Sequence, residues 1–492
     1  MTSGGRWVLP QRVPVSVPHL TGGFKKVEGM KVPAEKTSKS TVRLFGSSGV
    51  RGVVGEDLSE DVCRDVARAA GTMLLPRSRV CIATDTRVSR EVVSSAVISG
   101  LRATGINVTE LGILPTPALV FLTREMGFDG GVMITASHNP PEFNGIKLFN
   151  GDCIGYSRSQ ETEVERIYAG RAFREGPRGD LDQDHGAKEA YFRRVQDRFS
   201  DGSLGRRFRV VVDAGNGAAA GFASQLFERL GLDVIAVNDE PDGLFPGRSP
   251  EPGEDTLEGT VEVVRQQEAD LAVCFDGDAD RVVFLDRDGF LGFNEAVAFV
   301  ARIAVESSGK KRVAATVETG NMVDLAVRDL GAEVVRGRVG DVFVAHLVRE
   351  LDAGIGVEPA GVYIMPEMGF YPDSIFAALT LLSRIDRAED IRRFFAKVPR
   401  LYSVQEKVPC PNAMKVPVMS EVRDRAARLG AGHINALDGL RLEFEDSWTL
   451  IRASGTEPLI RISAESGSGP KTEALLRQGA EMVERIVARL AA

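Results

Sequence analysis

The sequence predicts an α/β fold in which three similar units, each with a mixed and largely parallel sheet, precede a C-terminal α+β unit. Two observations predict this fold class. The chain has 492 residues, more than one hydrophobic core usually supports, so three or four domains are expected. Apolar segments of strand length also alternate with amphipathic helical segments, which is typical of parallel strands joined by crossover helices.

The alternation passes through three rounds. The first round places strands and helices in turn at 79–85, 90–105, 107–113, 116–127 and 130–137. The second and third rounds place them at 208–215, 218–231, 233–239 and 271–277, then at 312–319, 321–331, 333–340 and 353–359. The last part of the chain differs, with strand patterns at 440–445, 448–454 and 458–466 before a helix at 470–490. We therefore expect domains over residues 41–186, 187–290, 291–402 and 403–492.

The charge is unevenly distributed. Residues 1–40 contain seven Lys/Arg and two Glu, a net charge of +5, so the remaining chain carries −13 of the total of −8. The basic segment has no sustained periodicity, which predicts a disordered extension, and Met30 is an alternative start. The acidic body argues against nucleic acid as a partner.

Two further features point to a cytoplasmic protein. The sequence has no apolar run of eighteen residues, so we expect no membrane span. Its five cysteines are scattered and lack CxxC spacing, which fits a reducing compartment and argues against disulfides or a zinc site.

The stretch from Thr135 to Lys147 carries the first chemical signal. Ser137 stands where an apolar strand gives way to a loop, with His138 beside it and two prolines after it. Asn144-Gly145 predicts a tight turn that returns Lys147 towards the serine. This arrangement is typical of group transfer, although loops rich in Pro, Asn and Gly also occur as plain connections.

A second signal is the run Asp276-Gly-Asp-Ala-Asp-Arg281. Carboxylates at alternate positions can converge on one hard cation such as Mg²⁺ or Ca²⁺. An EF-hand is excluded because Arg281 stands where that loop needs Gly and Arg287 where it needs Glu. Three carboxylates at the end of a buried strand would repel one another without a cation, so a metal site is favoured over a solvated acidic turn.

Three more loops offer groups that bind phosphate or sugar. Residues 45–52 are glycine-rich and end near Arg51, whose guanidinium suits phosphate oxygens. Glu358 follows an apolar strand, where α/β sheets place ligand contacts, although a surface turn is an equal alternative. The loop after residue 451 combines arginines, hydroxyls and backbone N–H groups suited to an anion, and its candidates are Arg452, Ser454, Gly455, Thr456 and Arg461.

Two other chemistries fit less well. Residues 213–221 resemble a dinucleotide-binding loop, but their glycines are spaced one residue too widely for G-x-G-x-x-G. Ser137 also lacks the G-x-S-x-G context of α/β-hydrolases. A serine, a divalent-cation site and several phosphate-binding groups together predict phosphoryl transfer, which depends on positioning and charge neutralisation.

The motifs FGSSGVRG, TASHNP, DGDADR and RASGTEP, in this order, make the sequence resemble the α-D-phosphohexomutase family, from about residue 42 to the C-terminus. The resemblance implies an isomerase with four domains around a central cleft. Ser137 would carry the phosphoryl group and exchange it with a hexose phosphate through a hexose bisphosphate intermediate. Mg²⁺ would be held by Asp276, Asp278, Asp280 and an oxygen of phosphorylated Ser137.

The resemblance also assigns roles to the remaining candidates. Arg51, His138, Lys147 and Arg281 would surround the transferring group, and Lys147 would be a candidate for proton transfer if its pKa were lowered. Glu358 would bind sugar hydroxyls, with Gly361 also retained in its loop. The non-transferring phosphate would be bound by Arg452, Ser454, Gly455, Thr456 and Arg461.

The sequence departs from the family pattern in the sugar loop. Ala360 and Val362 stand where the family usually has serine and histidine, and Asp373 is a candidate replacement. A milder change is Thr84, where glycine is usual. The start motif and sugar loop resemble archaeal-type phosphoglucosamine mutases, so glucosamine phosphate is the favoured substrate. The alternatives are phosphomannomutase/phosphoglucomutase activity or a non-catalytic sugar-phosphate binder, and a monomer or dimer is expected.

Overall fold

Sheets of one recurring design organise the chain. The computed structural model describes residues 43–46, 48–202, 204, 208–387, 389–426, 430–455 and 457–491. The predicted basic extension over residues 1–40 lies outside the described residues. Within them, no helix has both the length and the apolar character needed to cross a bilayer.

The first sheet lies in the N-terminal part of the described chain. Its strands are β1 (Val50–Val53), β2 (Arg79–Thr84), β3 (Asn107–Ile113), β4 (Gly130–Ile134), β5 (Phe143–Asn150) and β6 (Leu181–Gln183). The accompanying helices are α1 (Glu60–Met73), α2 (Arg90–Ala103), α3 (Thr116–Glu125) and α4 (Arg158–Ala169). The strand order is β1-β5-β4-β2-β3-β6. β2 pairs in parallel with β3 and β4, whereas β5 is antiparallel to β4.

Four strands of the second sheet have the same order and directions as the four central strands of the first sheet. Its strands are β7 (Arg209–Asp213), β8 (Asp233–Val237), β9 (Leu271–Phe275), β10 (Val282–Asp286) and β11 (Gly289–Phe290). The helices of this part are α5 (Lys188–Arg198), α6 (Ala223–Arg229) and α7 (Glu258–Gln266), with a 3-10 turn at Glu254–Thr256. The order β11-β10-β9-β7-β8 has parallel β7–β8 and β7–β9 pairs and an antiparallel β9–β10 pair.

The third sheet follows the same plan. Its strands are β12 (Arg312–Thr316), β13 (Glu333–Gly337), β14 (Ile355–Glu358) and β15 (Val362–Ile364), in the order β13-β12-β14-β15. The helices are α8 (Phe293–Ser308), α9 (Met322–Val327), α10 (Asp341–Leu351), α11 (Ser374–Leu382) and α12 (Glu389–Phe395), with a 3-10 turn at Arg328–Leu330. β12 is parallel to β13 and β14, and β15 is antiparallel to β14.

The fourth sheet is antiparallel throughout and has a different order. Its strands are β16 (Tyr402–Pro409), β17 (His433–Asn435), β18 (Leu440–Glu443), β19 (Ser447–Ala453) and β20 (Leu459–Ser466), in the order β16-β20-β19-β18-β17. Its helices are α13 (Lys415–Ala426) and α14 (Gly469–Ala491), with a 3-10 turn at Asn412–Met414. The predicted fold class, three similar α/β units followed by an α+β unit, is confirmed.

The shared design fixes where the functional loops lie. In each of the first three sheets, a chain reversal joins the third strand of the repeated order to its antiparallel neighbour: β4 to β5, β9 to β10 and β14 to β15. These reversals contain Ser137, the Asp276–Asp280 segment and Ala360–Gly361, respectively. One continuous cluster of buried residues includes Cys81 on β2, Phe275 on β9 and Val357 on β14. Because interiors of this kind are close-packed, the relative positions of the three loops are held by packing.

Two predicted local structures are wrong. Asn144-Gly145 is not a tight turn but lies inside β5, between β1 and β4. Glycine is needed there because a Cβ on Gly145 would lie 2.6 Å from both Thr135 O and Val50 O. The helix predicted from residue 218 begins only at Ala223, because the chain first makes a close approach in which a Cβ on Gly217 would lie 2.5 Å from Gly277 O.

Candidate active site

Ser137 lies in the reversal between β4 and β5, and its side chain is directed at the segment Asp276–Asp280, the candidate metal loop, called the metal loop below. The residue is buried and has a left-handed backbone, with φ of 51°. Its Oγ donates a hydrogen bond to Asp276 Oδ2 at 2.6 Å and lies 3.2 Å from His138 Nδ1. The serine and the first of the three predicted metal ligands are therefore in contact across two domains.

The loop geometry around Ser137 has identifiable causes. The Ser137 N–H donates to Thr135 Oγ1 at 2.8 Å, and Thr135 Oγ1 donates to Asp85 Oδ2 at 2.6 Å. A Cβ on Gly277 would lie 2.4 Å from Ser137 O, so the metal loop can approach this closely only with glycine at that position. The left-handed conformation of Ser137 is thus held by contacts on both sides.

The three aspartates of the metal loop converge as predicted. Asp276, Asp278 and Asp280 are buried, and each offers a carboxylate oxygen that lies within 4.8 Å of the others. Asp278 Oδ1 and Asp280 Oδ1 are buried and have no hydrogen-bond partner among the described residues. Burial and the adjacent Asp280 and Asp278 carboxylates raise the pKa of Asp276. Buried, mutually repelling oxygens of this kind fit a hard divalent cation such as Mg²⁺.

Lys147 already neutralises part of this negative charge. Its Nζ lies 2.7 Å from Asp278 Oδ2 and 2.8 Å from Asp280 Oδ2, and donates to Tyr371 Oη at 3.1 Å. Burial favours the neutral amine, but the two carboxylates outweigh it and raise the pKa of Lys147. The lowered pKa that a basic role requires is therefore absent in this state, and Lys147 is protonated.

Arg51, His138 and Arg281 lie around the same loops. Arg51 Nη1 donates to Asn139 Oδ1 at 3.0 Å, and the Arg281 backbone N–H donates to Asp276 Oδ1 at 3.2 Å. Burial, followed by the positive charges of Arg281 and Arg51, lowers the pKa of His138 to about 3. The imidazole is accordingly neutral at physiological pH, and the positive charge of this region comes from arginine and lysine.

The two sugar-loop candidates have different contacts: Glu358 contacts another loop of the third domain, and Gly361 contacts the second domain. Glu358 Oε1 accepts a hydrogen bond from the Gly340 N–H at 2.7 Å. Burial, followed by the neighbouring Asp341 carboxylate, raises the pKa of Glu358 to about 8. Gly361 has φ of 81°, and a Cβ there would lie 2.1 Å from Val282 O, so this glycine lets the loop dock on the metal-loop strand.

Asp373 does not replace the missing groups of the sugar loop. Its two carboxylate oxygens accept from the Tyr191 hydroxyl at 2.9 and 3.0 Å, and Oδ1 also accepts from the Phe376 N–H at 2.9 Å. The residue is buried at the N-terminus of α11. Asp373 is therefore a helix cap that joins α11 to α5, because both of its oxygens are already bound.

The fourth loop is positioned by contacts within the third and fourth domains. Arg452 Nε donates to Glu318 Oε1 at 2.9 Å, and Arg461 is paired with Glu457. Ser454 Oγ accepts from the Glu457 N–H at 3.0 Å. Gly455 has no atom within 4 Å of a hypothetical Cβ, and Thr456 lies outside the described residues. No hydrogen bond or ion pair between described residues joins this loop to the loops of Ser137 and Asp276.

Several residues near the reacting groups were missed by sequence reasoning. Tyr371 Oη donates to Asp280 Oδ2 at 2.9 Å, and Thr116 Oγ1 donates to Asp278 Oδ2 at 2.6 Å. Asp341, at the start of α10, has Ser48 Oγ 3.5 Å from its Oδ2. Arg87, two residues after the first strand-end aspartate, contacts the serine loop directly. Each contact joins residues far apart in sequence, so no local sequence pattern predicts it.

Family models agree with this architecture. Four of them match in succession: Phosphoglucomutase/phosphomannomutase, alpha/beta/alpha domain I over residues 42–175, domain II over 189–289, domain III over 293–402, and the C-terminal domain over 406–484. Together they cover most of the chain.

Individual relatives agree as well. A probable phosphoglucosamine mutase from Methanopyrus kandleri is 40% identical over 451 residues, covering 90% of this chain and 98% of that protein. A phosphoglucomutase/phosphomannomutase from Thermococcus kodakarensis is 35% identical, with the same coverage of both chains. The crystal structure of a phosphoglucomutase/phosphomannomutase family protein from Burkholderia thailandensis superposes with a TM-score of 0.79 at 25% identity, covering 90% of this chain and 97% of that one. This chain belongs to the phosphoglucomutase/phosphomannomutase family, whose members are isomerases.

Proposed function

We propose that this protein moves phosphate between the C6 and C1 positions of a hexose phosphate, with phosphorylated Ser137 as carrier and a hexose bisphosphate as intermediate. The observation that carries the proposal is the 2.6 Å contact between Ser137 Oγ and Asp276 Oδ2. It places a nucleophilic hydroxyl against a buried carboxylate cluster suited to Mg²⁺. We further propose a cytoplasmic monomer or dimer with the four domains delimited above.

The cation would be held by Asp276, Asp278 and Asp280, together with a phosphate oxygen on Ser137. When bound, Mg²⁺ would neutralise negative charge that develops on the transferring phosphoryl oxygens. The Oδ1 atoms of Asp278 and Asp280 accept no hydrogen bond from the described residues, which supports this assignment, since a buried carboxylate oxygen without a hydrogen bond is costly. A cation would remove that cost.

The protein groups have separate tasks in the transfer. The reaction breaks the bond between Ser137 Oγ and phosphorus and forms one between phosphorus and a sugar hydroxyl oxygen. The sugar hydroxyl loses a proton in this step and Ser137 Oγ gains one, so we assign Lys147 to giving Ser137 Oγ its proton and receiving the proton of the sugar hydroxyl in return. His138, Arg51 and Arg281 would surround the phosphoryl group, the arginines offering charged N–H donors and His138 a neutral imidazole. In the free enzyme, Asp276 accepts the Oγ hydrogen bond of Ser137.

The other end of the substrate would lie on the third and fourth domains. Glu358 would bind sugar groups beside Gly361, and the distal phosphate would be bound by Arg452, Ser454, Gly455, Thr456 and Arg461. Because Arg452 is paired with Glu318 in this structure, we infer that it exchanges this carboxylate for phosphate when substrate binds.

An amino sugar fits the sugar loop better than a neutral sugar. The Glu358 and Asp341 carboxyl groups lie close enough to interact, and burial raises the pKa of both, in Asp341 against the opposing charge of Lys147. The C2 ammonium of glucosamine phosphate, placed beside these two carboxyl groups, would favour their charged forms and pair with them, whereas a neutral hydroxyl would not. The relatives named probable phosphoglucosamine mutase support the same preference. Phosphoglucomutase/phosphomannomutase activity is the alternative, supported by the relative of that name.

The substrate assignment is tested by assaying glucosamine, N-acetylglucosamine, glucose and mannose phosphates side by side. We expect the highest kcat/KM with glucosamine phosphate. Asp341→Asn should lower it about tenfold, the equivalent of one modest ion pair, and change the uncharged sugars less. Preference for a neutral hexose phosphate, with equal losses on all substrates in the variant, would support the alternative activity.

A non-catalytic sugar-phosphate binder is the remaining alternative. Such a protein would not need a serine hydroxyl directed at a metal cluster. Ser137→Ala separates the two possibilities: a mutase should lose turnover while it still binds the sugar phosphate by calorimetry, whereas a binder would show no turnover even in its natural form.

A further inference from the structure

Arg87 is a fully buried arginine beside the serine loop, and none of the roles described so far uses it. It follows β2 by three positions and its side chain is completely inaccessible to solvent. An arginine cannot lose its charge in a protein, so burying one requires partners for all of its N–H groups. The identity of those partners defines what the residue does.

The guanidinium of Arg87 binds the loop that carries Ser137. Nη2 donates to Ser137 O at 2.8 Å and to Asn139 O at 2.6 Å. Nη1 donates to Pro140 O at 2.5 Å and to Phe143 O at 2.9 Å. One planar side chain therefore binds four carbonyl oxygens between residues 137 and 143, a segment whose two prolines have no N–H of their own.

The charge of this guanidinium is compensated on its other edge. Nε donates to Asp85 Oδ2 at 3.0 Å, and that oxygen also accepts from Thr135 Oγ1. The Asp85 carboxylate thus joins the guanidinium to the strand end that precedes Ser137. Strand β2, which positions Asp85, and strand β4, which ends before Thr135, are adjacent in the sheet.

Residues of the second domain cover the remaining side of Arg87. The Phe245 ring lies 5.2 Å from the Arg87 guanidinium carbon, and a Cβ on Gly243 would lie 2.5 Å from Arg87 Cα. The Ser137 carbonyl that accepts from Arg87 also faces Gly277 of the metal loop. The orientation of the Ser137 peptide is therefore fixed where the two domains meet.

A buried arginine also binds a backbone carbonyl next to the metal loop. Arg248 Nε donates to Asp213 Oδ2 at 3.0 Å, and its Nη2 donates to Phe275 O at 2.7 Å, one residue before Asp276. Asp213 ends β7, the strand of the second sheet that corresponds to β2 of the first. A strand-end aspartate with a buried arginine on the loop carbonyls thus occurs in both domains that form the Ser137–Asp276 contact.

We propose that Arg87 is a positioning residue for phosphoryl transfer. By binding the Ser137, Asn139, Pro140 and Phe143 carbonyls, it keeps Ser137 in its left-handed conformation with Oγ directed at the metal loop. The inference rests on the proposed phosphoserine mechanism. It assigns Arg87 to the transfer step and not to binding of the sugar.

The test compares Arg87→Lys and Arg87→Ala with the natural protein. Displacing a reacting atom by about 1 Å can cost about 100-fold in rate, so kcat and the rate of Ser137 phosphorylation by hexose bisphosphate should fall by about that factor. KM and the calorimetric Kd for sugar phosphate should change less than about threefold, which is small on the affinity scale. Added methylguanidinium, but not methylammonium, should restore part of kcat in Arg87→Ala. Arg302→Lys is the matched control, since Arg302 is also buried and binds Ala326 O and Asp329 outside the site.

Folding is checked by circular dichroism, and Asp85→Asn supplies a second route if both Arg87 variants fail to fold. It keeps the shape of the partner and removes its charge, so the same loss of kcat at nearly unchanged Kd is expected. A folded Arg87→Lys or Asp85→Asn protein with near-natural kcat, or with an affinity loss as large as its rate loss, would overturn the inference. Failure of the mechanism itself would show separately, as absence of mutase activity in the natural protein.

Discussion

Ser137 Oγ and Asp276 Oδ2 lie 2.6 Å apart although 139 positions separate them in the chain. The serine follows β4 of the first sheet and the aspartate follows β9 of the second, in equivalent chain reversals of two similar domains. The hydrogen bond between them joins the proposed phosphoryl carrier to the three aspartates proposed to hold the cation.

Removing one carboxylate of the cluster should weaken cation binding. In Asp278→Asn, a charged oxygen beside Lys147 and Thr116 is replaced by a neutral amide, so the affinity for Mg²⁺ should fall by at least about tenfold. Titration with Mn²⁺ monitored by electron paramagnetic resonance measures this without any turnover. Asp288→Asn is the control, because Asp288 lies at the other end of β10, in the turn before β11, and is exposed. Equal Mn²⁺ affinities in Asp278→Asn and the natural protein would refute the metal assignment.

Lys147 should be essential for the stability of the metal-free protein. Lys147→Met leaves Asp278 and Asp280 buried without their shared cation, and breaking a buried ion pair typically costs about 3–5 kcal/mol. Mg²⁺ should recover part of this loss, so its stabilising effect should be larger in the variant than in the natural protein. Urea unfolding with and without Mg²⁺ measures both quantities. Unchanged stability without Mg²⁺ would contradict the arrangement.

Glu358 should make the stability depend on pH. Its pKa is raised from 4.5 to about 8 by burial and by Asp341, with Glu318 adding to the effect and the Gly340 N–H and Arg281 opposing it. Between these values the unfolded chain has lost a proton that the folded protein retains, so the contribution of this group falls as pH rises from 4.5 to 8.

Glu358→Gln has no proton to lose. Its free energy of unfolding should equal that of the natural protein near pH 4 and exceed it increasingly towards pH 8. Chemical unfolding at several pH values measures the difference. Glu333→Gln serves as the control because Glu333 is exposed on the same sheet. Parallel pH curves for Glu358→Gln and the natural protein would show that the Glu358 carboxyl does not retain its proton.

The sequence identified the residues that meet at the candidate site more completely than the residues that hold them in place. Ser137 and the three aspartates were found because each follows an apolar strand, a local pattern that signals a loop at a sheet edge. Arg87 and Tyr371 were missed because their contacts with Ser137 and Lys147 span 50 and 224 positions of the chain. Asn144-Gly145 was assigned to a turn because its glycine is locally typical of one, whereas that glycine in fact accommodates the carbonyls of Val50 on β1 and of Thr135, just after β4. At these positions the local structure and the contacts are determined by packing between segments that are far apart in the chain.

In the sugar loop, too, some residues were identified from local sequence patterns and others only from the structure. Glu358 was identified from its place at a strand end, but Asp341 was not, because it reaches the loop from the start of α10. Gly361 has a structural reason that a sequence motif does not reveal, its contact with Val282. Asp373 had a suitable chemistry, but the fold commits both of its oxygens to α11 and Tyr191.

The most direct test of the central claim is mass spectrometry of the protein after incubation with a hexose bisphosphate. We expect one added phosphate, located by peptide fragmentation on Ser137, and its loss when the protein is then mixed with excess hexose monophosphate. Phosphate found only on another residue, or turnover by a protein in which Ser137 never takes phosphate, would contradict the account.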